Sequence, residues 1–168
     1  MSHFGDYDHL VEVFGEIHDK NDRAAALAAG SFLEDQLSFA LNARFIPLSE
    51  TRKDALYKRP DAPLRTFSAK IELGFALALY GEATRIDLEH IRKIRNEYAH
   101  NAAKRSFDTP KISERCDALS TPSRINATMG LLTYDFSNPR DRYVATICQI
   151  AAELTFEVSN PLEPRTLP

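Results

Sequence analysis

The chain has 168 residues, 43% of them apolar and 27% charged, with 21 basic against 24 acidic side chains and a formal charge of -3. That composition belongs to a folded globular protein of one domain spanning 1–168, and it excludes a disordered or fibrous chain. The slight acidity also excludes the overall cationic surface on which non-specific nucleic-acid binding depends, so any phosphate contact has to be local.

The first expected helix is Asp8 to Ile17, where Leu10, Val13, Phe14 and Ile17 recur at the offsets of one buried helical face. From Asp22 to about Arg44 a longer helix carries one stripe of Leu33, Leu37, Ala40 and Leu41 and a second of Phe32 and Phe39. A helix apolar on two sides belongs in the centre of a bundle, and its small residues from Ala24 to Gly30 let a neighbour come close. Glu34, Asp35 and Gln36 interrupt these stripes. They read as an exposed polar face, with a reach from Glu34 or Asp35 to a cation such as Arg95 as the other option.

Residues 45–65 hold Pro47, Pro60 and Pro63 without a steady period, so they read as a long connecting loop with one helical turn around Arg52 to Tyr57. Thr66 or Ser68 then caps a third helix, with Ile71, Phe75, Ala78 and Leu79 as its stripe and Gly81 as its expected end. Thr84 and Asp87 have the spacing of a capping box, and Leu88, Ile91, Ile94 and Tyr98 carry the next helix to about His100. A shorter helix starts at Thr109 and Pro110 and runs to about Leu119. The stretch from Ser120 to Phe136 has no clear element beyond a brief strand-like or turn segment in "MGLLTYDF". Asn138 and Pro139 open the last helix, on which Tyr143, Ile147, Ile150, Ala151, Leu154 and Val158 form one stripe, and 160–168 reads as an extended tail. The pattern predicts an all-α, irregular bundle of about five to seven helices.

No apolar run approaches the roughly 20 residues that span a bilayer, and "MSHFGDYDHL" lacks the basic and apolar regions of a signal peptide. A cytoplasmic location with no membrane partner is expected. Cys116 and Cys148 have no second thiol at a metal-binding or redox spacing and read as reduced structural thiols. Asp87 and His90 lie one helical turn apart without a third ligand, so no metal and no cofactor are expected.

Chemistry concentrates in "IRKIRNEYAH", Ile91 to His100. Between Arg92 and Arg105 there are five cations, namely Arg92, Lys93, Arg95, Lys104 and Arg105, against the single acid Glu97. Cations at a helix C-terminus are favoured by its dipole by about 0.3 to 1 kcal/mol each, which accounts for the run without a ligand. As a site, Arg92, Lys93 and Arg95 would bind an anion or RNA. Arg95 would grip a phosphate and His100 would move a proton, with Asn96 beside them. On a regular helix Arg95 and His100 stand about 140° apart, so the pair meets on one small target only if the last turn unwinds or two subunits share the site.

"RNEYAH" resembles the R-x4-6-H motif of the HEPN superfamily. Over most of Asp22 to Leu119, "DRAAALAAGSFLEDQLSFAL", "FSAKIELGFALALYG", "DLEHIRKIRNEYAH" and "SFDTPKISERCDAL" look, in that order, like the mannitol-operon repressor (MtlR) family. The resemblance implies a HEPN-like bundle, a homodimer, and a non-enzymatic transcriptional regulator of carbohydrate operons that acts through an unidentified protein partner. No second basic helix after a tight turn is available to enter a major groove, in keeping with that mode of action. The HEPN likeness implies an alternative, a metal-independent endoribonuclease of the toxin or defence kind, with Arg95 and His100 as catalytic residues and RNA as its partner.

Overall fold

A computed structural model describes residues 7–100, 105–120 and 134–159. All regular structure among them is helical: α1 (Tyr7–His18), α2 (Asp22–Arg44), α3 (Glu50–Tyr57), α4 (Phe67–Ala76), α5 (Glu82–His100), α6 (Pro110–Asp117) and α7 (Pro139–Ser159). The strand-like segment expected within Ser120 to Phe136 falls mainly, and the extended tail wholly, outside the described residues.

The middle of the bundle is α2, which packs on α1, α4, α5 and, most extensively, α7. Its two-sided apolar pattern is the cause. Leu33, Leu37 and Leu41 are fully buried, each worth about 2 kcal/mol of transfer from water. Ala25, Ala26, Ala29 and Gly30 are buried as well. These small side chains bring α7 close enough for the buried Tyr143 hydroxyl to donate to the Ala26 carbonyl at 3.0 Å. Tyr143 continues a chain of rings through Phe107 to Tyr98, with successive centroids 5.3 Å apart, within the favourable range for aromatic pairs.

Helix ends explain where the elements start. The Asn21 side chain accepts from the Ala24 amide and begins α2. Asp22, just inside, accepts from the Phe107 amide at 3.2 Å and from Arg140 Nη1 at 3.1 Å. One carboxylate thus ties the start of α2 to the loop before α6 and to the first turn of α7. Ser49 caps α3 in the same manner, so the proline-rich connection holds two helical turns where the pattern suggested one. No residue of α3 is buried.

Two expected boundaries differ. The third helix ends at Ala76, not at Gly81, because Ala78 takes the left-handed conformation (φ 55°) that terminates it and Tyr80 folds back to donate to the Ile71 carbonyl. The tyrosine ring lies so close over Gly74 that a Cβ there would stand 2.5 Å from its hydroxyl. The following helix starts at Glu82, which places Thr84 and Asp87 inside it, both buried. They are therefore not a capping box. Asp87 instead accepts from the Ser120 amide and hydroxyl at 2.8 and 2.9 Å, holding the chain just beyond α6 against α5.

Candidate functional site

Arg95 leaves α5 on the side that faces α2 and α4. Its Nη1 lies 2.6 Å from Glu34 Oε2, and Lys70 Nζ of α4 lies 2.8 Å from Glu34 Oε1. One carboxylate therefore holds a cation from each of two other helices, one per oxygen. The side chains of Glu34 and Lys70 are 14% and 10% exposed and that of Arg95 25%, which takes the cluster largely out of solvent screening. Aromatic faces complete it: the guanidinium carbon of Arg95 is 5.7 Å from the Phe67 ring centroid, and Lys70 Nζ is 5.9 Å from that of Tyr57.

Gly30 makes room for this arrangement. A Cβ on it would lie 3.0 Å from Arg95 Cδ, 3.2 Å from Arg95 Cβ and 3.1 Å from the Tyr143 hydroxyl. Beside the cluster, burial raises the Asp35 carboxyl above its ordinary range and neighbouring Glu34 adds to that, against the opposing pull of Lys70 and Arg95. Desolvation also pushes the Tyr57 phenol up to about 12.

The other residues of the basic run point elsewhere. Arg92 is bonded twice to Glu89, at 3.0 and 2.8 Å. Arg105 lies 3.6 Å from Glu97, which Lys111 also meets; Lys104 is outside the described residues. Lys93 is the outward one, with Glu89 4.0 Å away. Helix α5 is unbroken to His100, so Arg95 and His100 keep roughly the 140° separation of a regular helix. His100 is exposed at the helix end and Asn96 is half-buried. Within one chain a regular α5 keeps the arginine and the histidine on different sides, while Arg92 and Arg95 are bonded to different acids, Glu89 and Glu34.

Glu34 thus lies inside the bundle and not on an exposed face. Its position was readable, since 30, 34, 37 and 41 make one helical stripe containing the buried Gly30, Leu37 and Leu41. Lys70 is not among the residues that the charge pattern singles out. Its signal is a lysine set between Phe67, Ile71 and Gly74, all buried on the same helix.

This helical arrangement has a solved counterpart. The chain is similar to one in the X-ray structure of the MtlR-HPr complex from Escherichia coli, with a TM-score of 0.66 and 15% identity over 92% of this chain and 99% of that one. An MtlR-like fold follows from that likeness. Neither a protein-family model nor a curated protein sequence matches the chain. No helix among the described residues is long and apolar enough to cross a membrane.

Proposed function

We propose that the protein is a non-enzymatic regulator of carbohydrate operon expression, of the mannitol-repressor type, that works in the cytoplasm as a homodimer and through a protein partner. The observation that carries this reading is the Glu34 cluster. The arginine that an endoribonuclease would present to a phosphate spends its guanidinium on an internal carboxylate at 2.6 Å, so Arg95 acts with Glu34 and Lys70 as a clasp between α2, α4 and α5, a contact in which exposed His100 takes no part. The fold likeness to a chain of the MtlR-HPr complex supports the same conclusion, and makes HPr the first partner to try.

Titration calorimetry of the purified chain with purified HPr tests the reading. Saturable one-site binding is the expected result, and absence of heat or of a mobility shift at hundreds of micromolar HPr would sink it. Incubation with mixed RNA in EDTA decides the competing activity. Cleavage by the wild type that Arg95→Ala and His100→Ala both abolish would establish the ribonuclease in its place.

A further inference from the structure

Helices α4 and α5 leave a groove of about 370 Å³ between them on the outer side of the bundle. Its two ends differ. Near the turn that joins the helices, Phe75, Leu77 and Ile86 are 39%, 37% and 41% exposed. The Arg85 guanidinium carbon lies 5.6 Å from the Phe75 ring centroid, which makes this apolar corner continuous with the groove that Arg85 and Ile86 line. At the far end stand Ser68, His90 and Lys93. The Lys93 side chain is 48% exposed, and its neighbouring acid Glu89 is already held by two bonds from Arg92.

Charge follows the same axis. Around the apolar corner Glu72 and Glu82 outnumber Arg85, which they both contact. Around the far end Arg92 and Lys93 outnumber Glu89. The charged lining residues balance one another, and with Glu82 and Arg92 counted beside them the surroundings of the groove carry one surplus negative charge at one end and one surplus positive charge at the other, before His90 is counted. Ile86 and Lys93 are seven residues apart on an unbroken helix, two turns or about 10 Å. A third helix laid between two others places residues spaced i and i+7 along one such line.

From these features we infer that the α4–α5 groove receives an amphipathic helix of a partner protein, one that seats apolar side chains against Phe75 and Ile86 and, two turns along, a carboxylate against Lys93. The inference rests on the reading of the chain as one that works through a protein partner, and it names the surface and the chemistry of that contact. Apolar anchoring supplies the affinity, while the charge at Lys93 fixes which way the helix lies.

Two helical peptides of one pattern test it, with leucines at i and i+3 and either glutamate or lysine at i+7. Each is titrated into the ¹⁵N-labelled full-length chain. The glutamate peptide is expected to shift amide signals of residues 68–77 and 85–93 and to bind at least tenfold more tightly than the lysine peptide. In Lys93→Glu that preference is expected to reverse, and in Ile86→Asp neither peptide should bind. Both side chains are exposed, and unchanged signal dispersion elsewhere shows that each variant is folded; Lys93→Gln and Ile86→Ser serve if one is not. Equal binding of the two peptides, shifts confined to other faces, or no shifts at millimolar peptide would overturn the groove assignment. So would undiminished binding of the partner protein tested above by folded Ile86→Asp and Lys93→Glu. Failure of that partner to bind the wild type counts against the regulatory reading and leaves the peptide result to judge the groove.

Discussion

Glu34 and Arg95 stand 61 residues apart in the chain and 2.6 Å apart in space, with Lys70 on the other oxygen of the same carboxylate. Removing the carboxylate leaves two cations facing each other in a poorly solvated place, which is worse than never having built the pair. Glu34→Ala is expected to lower unfolding free energy by about 3 kcal/mol, and Glu34→Gln by about half as much. Arg95→Ala leaves Glu34 with Lys70 still bonded and should cost less than Glu34→Ala. Urea unfolding followed by circular dichroism measures all three, and an Arg95→Ala loss equal to or above that of Glu34→Ala would contradict this account.

Gly30 faces the same arginine. A methyl group there lies 3.0 Å from Arg95 Cδ and 3.1 Å from the Tyr143 hydroxyl, so the Arg95 or the Tyr143 side chain has to yield by a few tenths of an ångström. Although alanine is the better helix former by about 1 kcal/mol, crowding should win, and Gly30→Ala is expected to destabilise by about 1 to 2 kcal/mol. A raised melting temperature would show that the Arg95 stem has room to move.

Cys116 and Cys148 are buried, and desolvation pushes their thiols up to about 12 and about 11. Since thiolate is the reactive form, each should be inert at pH 8 in the folded protein. An aromatic disulfide reagent is expected to label them at least a hundredfold faster in 6 M urea than in buffer. Prompt labelling of the native protein would mean that α6 or α7 opens locally.

His90 is the clearest pH-sensitive group. Burial, then the nearby charge of Lys93, lowers its pKa in the folded protein, with Arg115 acting in the same direction and Asp87 and Glu89 opposing. The unfolded chain therefore takes up this proton at a higher pH than the folded one, near 6.5. Stability should fall as pH drops from about 7 through that value, and the loss ends once the folded pKa is passed. Comparing unfolding midpoints at pH 7.5 and 5.5, His90→Gln should lose less than the wild type. Equal losses would assign the effect to another group.

The sequence exposed the bundle more readily than its polar interior. Apolar periodicity located α2 and α7 to within a residue or two, because their buried faces are long and regular. Helix ends were harder to read: Thr84 and Asp87 imitate a capping box, yet the decisive contact of Asp87 is with Ser120, 33 residues on. The same holds for the candidate site. The R-x4-H spacing is plain in the sequence, and Glu34 and Asp35 are both candidates to reach Arg95; that Glu34 is the one that does depends on how α2 turns, and no local pattern connects it to the lysine from α4 that shares its carboxylate.

The extensive pairing of α2 with α7 also governs how the protein is made. Arg44 and Pro139 are separated by 94 intervening residues, on the order of ten seconds of ribosomal synthesis. Throughout that interval the apolar face of α2 that later meets α7 has no lasting cover in the nascent chain. A delay or premature stop before residue 139 would release a polypeptide with that face open, a natural target for chaperones and for proteases.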